Sequence, residues 1–136
     1  MSKAMPTISK FMTTLPHTVG TDTTLDKAEK MMNEYRVRHL PVLHGGELVG
    51  ILTDRDIKMV ETFKDVNPKE VKVEDAYTPD PFIVSPHSPL SEVCDQMAHH
   101  KYSCVLVVDN KKLVGIFTWV DALNAMKELL GQRYHS

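Results

Sequence analysis

Two stretches of this chain carry one signature: Leu48 to Ile57 reads LVGILTDRDI, and Leu113 to Ala122 reads LVGIFTWVDA. Thr53 matches Thr118, Asp56 matches Asp121 and Gly50 matches Gly115, all at an offset of 65 residues. Without a gap the same offset pairs Leu48 with Leu113, Val42 with Val107, Met32 with Met97, Leu25 with Leu90, Val19 with Val84, Pro16 with Pro81 and Thr13 with Thr78. Adding Val49 with Val114 and Ile51 with Ile116 gives twelve identities between residues 8–63 and 73–128. Composition alone would give roughly three or four, so the chain is a tandem repeat and its fold is one unit built twice.

Each copy parses alike. A β-branched pair (Thr18-Val19, Ile83-Val84) marks a short strand. A helix follows, with apolar positions at helical spacing: Leu25, Ala28, Met32 and Tyr35, then Leu90, Val93, Cys94 and Met97. The apolar runs HLPVL and CVLVV, the polar reversals HGGE and DNKK, and the runs ending in Leu-Val-Gly-Ile predict a hairpin. A second helix is predicted from about Asp54 to Phe63 and from about Trp119 to Leu130. Such a strand-helix-strand-strand-helix unit exposes an apolar sheet face that one copy cannot bury. The expected class is therefore α/β (α+β), two β-α-β-β-α repeats at residues 8–64 and 73–130 packed with pseudo-twofold symmetry through their small sheets. The charged stretch around residues 65–72 is expected to be a linker.

Composition narrows the function. The 136 residues, 42% hydrophobic and 25% charged, suit one compact domain with a real core. A net charge of −2 supplies no basic field to attract nucleic acid or an anionic membrane, so any anion must be held locally. Val105 to Val108, the longest strictly aliphatic run, falls far short of the roughly 20 residues that cross a bilayer. The start MSKAMPTISK lacks the apolar segment of a signal peptide, and a cytoplasmic protein is expected. Cys94 and Cys104 have neither metal nor disulfide spacing and are expected to be buried thiols. His99, His100 and Cys104 match no tight ligand pattern, so the histidines are expected simply to end a helix and no metal is expected.

A threonine at a strand-to-helix junction, with an aspartate three residues on, has two uses. In one, Thr53 with Asp56 and Thr118 with Asp121 only cap helices, worth about 1 kcal/mol each. In the other, the helix-start amides, the threonine hydroxyl and a Gly-containing strand end form an anion site, while the aspartate takes both hydroxyls of a ribose. Phosphate donors and a diol acceptor within one turn describe a nucleotide.

Gly-hydrophobic-x-Thr-x-x-Asp, preceded by RVRHLPVL and by MTTLPHTV, resembles a tandem pair of cystathionine β-synthase (CBS) domains, the Bateman module. The resemblance covers about Ile8 to Leu130. It implies a non-catalytic sensor of AMP, ADP, ATP or S-adenosylmethionine, commonly a homodimer, acting on an unidentified protein target. It also implies clefts in which pre-strand residues of one copy meet the Thr-x-x-Asp of the other. One cleft would use Thr18, Val37, Arg38 and His39 with Thr118 and Asp121. The other would use Ile83, Tyr102 and Ser103 with Thr53 and Asp56, and Arg55 or Lys101 would neutralise phosphate there. Arg38 would do so in the first, which is expected to prefer the more highly charged nucleotide. Trp119 and Val120 replace Asp54 and Arg55, so the sites are not equivalent; Trp119 is expected to stack on a ligand or pack at a dimer contact. The competing reading is a structural or dimerisation module with no ligand. An enzyme is disfavoured, because no Gly-x-Ser-x-Gly, His-Glu-x-x-His, Walker loop or dinucleotide fingerprint occurs.

Overall fold

The computed structural model describes residues 4–134. Its elements run β1 (Thr13–Thr14), β2 (Val19–Gly20), α1 (Leu25–Tyr35), β3 (His39–His44), β4 (Glu47–Thr53), α2 (Asp54–Glu61), β5 (Thr78–Pro79), β6 (Ile83–Val84), α3 (Leu90–His100), β7 (Cys104–Asp109), β8 (Lys112–Thr118) and α4 (Trp119–Arg133). Single 3₁₀ turns cover Ile8–Lys10 and Val73–Asp75. The fold is mixed α+β, with four helices and two four-stranded sheets ordered β2-β3-β4-β5 and β1-β8-β7-β6.

The chain divides into two compact units, His17–Pro81 and a second formed by the residues up to Pro16 with those from Phe82 onward. In the first, β2 runs parallel to β3 (Val19 opposite Val42), and β3 and β4 form the expected hairpin. Its turn carries Gly45 and Gly46, both at positive φ, as a tight hairpin reversal requires. In the second unit β6 runs parallel to β7 and β7 pairs with β8, with Asn110 and Lys111 at positive φ in the same place. Leu25, Ala28 and Met32 of α1 pack on Leu40, Val42, Leu52, Ile57 and Val73. Leu90, Val93 and Met97 of α3 pack on Val105, Val107, Phe117, Ala125 and Ile8. Pro41 and Ile51, and Leu106 and Ile116, point to the other sheet faces by strand alternation and are buried as well. Tyr35, counted with the first helix's apolar stripe, is instead 40% exposed and stacks on His17 with centroids 3.6 Å apart.

Two features were not visible as elements in the sequence. Strands β1 and β5 are only two residues long, and each closes a sheet edge: β1 against β8 (Thr13 opposite Ile116) and β5 against β4 (Thr78 opposite Ile51). Residues 8–16 of the first sequence repeat therefore belong to the unit built on the second, and residues 73–81 belong to the unit built on the first. The charged stretch before Val73 is also tied down. The Val71 carbonyl accepts from Leu25 N at 2.9 Å, Lys72 bridges Thr24, and Val73 is fully buried in the first core.

The edge strands explain the glycine before each motif. A Cβ on Gly50 would lie 2.4 Å from the Thr78 carbonyl oxygen and 2.5 Å from the Tyr77 ring, whereas one on Gly115 would meet chiefly the Met12 sulfur at 2.6 Å. Backbone cannot step aside cheaply; a methionine side chain can. Gly50→Ala is expected to destabilise by about 2–3 kcal/mol and Gly115→Ala by about 1 kcal/mol in urea unfolding. Equal losses would show that β5 does not hold the close approach seen here.

Candidate functional site

Each candidate site is built at a strand-to-helix junction. At the β4–α2 junction the Asp56 amide donates to the Thr53 hydroxyl at 3.1 Å, and the Thr53 amide donates to Asp56 Oδ2 at 3.0 Å. At the β8–α4 junction the Asp121 amide donates to the Thr118 hydroxyl at 3.3 Å and the Thr118 amide to Asp121 Oδ2 at 2.9 Å. Both are reciprocal capping boxes, so the capping use of the motif is met in full.

A second threonine hydroxyl completes each carboxylate. Thr78 on β5 donates to Asp56 Oδ1 at 3.2 Å, and Thr13 on β1 donates to Asp121 Oδ1 at 3.1 Å. Neither threonine was identified as a site residue from the sequence, although the two match at the repeat offset. With both edge strands exchanged, one sequence copy supplies a hydroxyl to the acid of the other.

Within each unit the pre-strand segment lies beside that unit's own motif. His39 lies directly opposite Thr53 in the β3–β4 ladder, and the Arg38 carbonyl accepts from Asp54 N at 3.0 Å. Likewise Cys104 lies opposite Thr118, and the Ser103 carbonyl accepts from Trp119 N at 3.0 Å. Thus Arg38 and His39 stand beside Thr53 and Asp56, and Ser103 beside Thr118, in their own units. Val37 packs half-buried on the first core, and Arg55 is exposed on α2. Thr18 lines a recess of about 400 Å³ with Thr21, Asp22, His44 and Glu74. Ile83 opens β6 and is half exposed, and Tyr102 sits with its ring 5.1 Å from those of Phe82 and His100. Lys101 caps α3 in the left-handed conformation, as Arg36 caps α1.

Since Asp54 N and Asp56 N, and their counterparts Trp119 N and Asp121 N, are already engaged, an anion here depends on side chains more than on bare amides. Those side chains differ between units. Arg38, His39, Asp54 and Lys58 are matched at the offset by Ser103, Cys104, Trp119 and Leu123. Trp119 is 49% exposed, at the head of a helix that also exposes Val120, Leu123, Met126 and Leu130. Cys104 is inert, its thiol pushed up to about 12 by burial. Among the described residues no three His, Cys, Asp or Glu side chains group to hold a metal ion.

Burial lowers the pKa of His39 below its ordinary 6.5, the nearby Arg38 charge lowers it further, and Asp56 opposes both. The folded state therefore holds His39 neutral where the unfolded chain protonates it. Its contribution to stability is complete above pH 6.5 and is lost as pH falls toward the depressed value. In urea titrations at stepped pH, His39→Gln is expected to flatten the loss of stability on the acid side of pH 6.5. A variant as steep as the parent would remove His39 from the account.

This double junction is that of a known family. The CBS domain family matches residues 8–61 and 73–128, and the chain belongs to that family as a tandem CBS pair. It is 31% identical over 123 residues to the CBS domain-containing protein YhcV of Bacillus subtilis, covering 90% of this chain and 87% of that protein. Among solved structures it resembles CBSX2 of Arabidopsis thaliana in complex with AMP, with a TM-score of 0.78 and 30% identity over 90% of this chain and 97% of the other. It also resembles the CBS pair of MJ0100 in complex with 5′-methylthioadenosine and S-adenosyl-L-methionine, with a TM-score of 0.80 and 25% identity over 96% of this chain and all of the other.

Proposed function

We propose that this CBS pair is a non-catalytic regulatory module that binds adenosyl ligands, AMP, ADP or ATP foremost and S-adenosylmethionine as a further candidate, at its two Thr-x-x-Asp junctions. The observation that carries the reading is the doubled threonine–aspartate–threonine arrangement, made twice from matching positions on separate stretches of chain. Each carboxylate has acceptor positions beyond those its threonines use, enough to take a ribose diol. Arg38 gives the first junction a cationic partner for an anion, with the neutral His39 beside it, while the second offers Ser103, Tyr102 and the half-exposed Trp119 ring. Adenosyl compounds named with CBSX2 and MJ0100 support the ligand class.

The signal leaves through surfaces. Met59, Leu123, Met126 and Leu130 are each about half exposed or more, and a homodimer, or an unidentified protein target, is the proposed recipient. No helix among the described residues is long and apolar enough to cross a membrane, and the proposed place of action is the cytoplasm, where such nucleotides are abundant.

One observation favours a second reading, a scaffold without ligand: both motifs already satisfy themselves as helix caps. Calorimetry separates the two. Asp56→Asn and Asp121→Asn keep one cap acceptor but exchange an acceptor for a donor, so each is expected to remove one binding event for AMP or ATP with little change in fold. Saturation at a hundredfold over Kd is expected to stabilise the parent by about 2.7 kcal/mol. No heat and no thermal shift with AMP, ADP, ATP or S-adenosylmethionine at millimolar concentration would leave the scaffold reading standing.

A further inference from the structure

Asp56 and Asp121 are half-buried, but the threonines that reach them from the edge strands are exposed. Thr78 Oγ1 lies 3.2 Å from Asp56 Oδ1 and 3.3 Å from Oδ2, and Thr13 Oγ1 lies 3.1 Å from Asp121 Oδ1. Neither hydroxyl is needed for the fold around it. Both capping boxes close without them, and each edge strand is paired to its neighbour through the backbone at two residues. An exposed hydroxyl bonded to a carboxylate exchanges with water at little cost in stability.

Yet the threonine is what the two edge strands share. Met12-Thr13-Thr14-Leu15 and Tyr77-Thr78-Pro79-Asp80 agree only there, although both segments turn at the same left-handed position, Leu15 in one and Asp80 in the other. The chemistry of the group supplies a reason. On each aspartate Oδ2 is held by the amide of the cap threonine, at 3.0 Å for Asp56 and 2.9 Å for Asp121. At the second junction the Thr118 hydroxyl engages Oδ2 as well, at 3.3 Å. A diol that grips both carboxylate oxygens must compete with those donors. Oδ1 and the edge threonine's oxygen stand 3.2 Å apart at one junction and 3.1 Å at the other, a separation comparable with that of two neighbouring hydroxyl oxygens on a sugar ring. A threonine hydroxyl that donates its proton still has lone pairs with which to accept another.

We infer that Thr78 and Thr13 are specificity-determining residues, each the second half of a sugar clamp. One hydroxyl of a vicinal diol donates to Oδ1 of the aspartate. The neighbouring hydroxyl donates to the threonine oxygen, which goes on donating its own proton to the carboxylate. The inference rests on the adenosyl reading for the identity of the ligand. It adds that the diol is recognised by an aspartate and an edge-strand threonine together, so that half of each clamp comes from the sequence copy that does not supply the aspartate.

The test titrates AMP, 2′-deoxy-AMP and 3′-deoxy-AMP by calorimetry into the full chain and its variants. An Asp121→Asn background isolates the first junction, where Thr78→Val keeps the β-branched shape and drops the hydroxyl, and Thr78→Ser keeps the hydroxyl. Thr13→Val and Thr13→Ser in an Asp56→Asn background repeat the measurement at the second. Each valine variant is expected to weaken AMP by roughly fivefold to tenfold. One of the two deoxy analogues is expected to stay within about twofold, because it lacks the hydroxyl that the threonine takes. Each serine variant is expected to bind AMP within about twofold of its background. Equal weakening of all three ligands by valine, or weakening of none, overturns the clamp while leaving adenosyl binding in place. So does a serine variant as weak as the valine one. A parent that binds none of the three removes the adenosyl reading and the clamp with it.

Discussion

The reciprocal hydrogen bonds between a threonine and the aspartate three residues later hold the architecture of each unit. They fix the point at which an extended strand becomes a helix, and they satisfy amides that would otherwise be left without partners at the helix start. Because Thr53 closes the β3–β4 ladder against His39, the same bonds set where Arg38 and His39 stand relative to α2. The edge strand then reaches across: Thr78 pairs with Ile51 in the sheet and donates to the cap aspartate. Strand, helix and edge thus meet on one carboxylate, and the second unit repeats the meeting with Thr118, Asp121 and Thr13.

Much of this was readable in the residues. The repeat offset located every helix and both hairpins, because periodicity over eleven residues and a Gly-Gly turn are strong local signals. What escaped was the part decided by distance along the chain. A two-residue strand such as Thr13–Thr14 carries no alternation to detect, and its partner lies about a hundred residues away. The stretch at residues 65–72, expected to be a linker, has no period to show that its end is pinned to α1 through the Val71 carbonyl or that Val73 just beyond it lies inside the first core. Tyr35 misled in the opposite sense: counted with the apolar stripe of α1, it is 40% exposed and stacks on the His17 ring instead.

The two units show how far chemistry can drift on a constant backbone. Their cores, caps and turns are built from matching positions, down to left-handed residues at the ends of α1 and α3. Around the caps the substitutions run in one direction, from charged in the first unit to apolar or neutral in the second. A helix cap needs only threonine and aspartate, so its neighbours are free to vary without loss of fold. The sites therefore differ where a ligand would extend past the cap, and agree where a sugar would be held.

That division has a consequence for how occupancy would be sensed. Asp56 Oδ2 accepts from the Thr53 amide at 3.0 Å and shares the Thr78 hydroxyl at 3.3 Å with Oδ1 at 3.2 Å, so Oδ1 is the less engaged oxygen for a diol to take. A carboxylate oxygen has two acceptor positions, and a second donor can join the first without expelling it. Sharing would nonetheless pull charge away from the Thr78 bond, and Thr78 lies on a strand that pairs with β4 at two residues. β5 and its counterpart β1 pair at two residues each, as β2 and β6 do, and they are the strands whose threonines reach the cap aspartates.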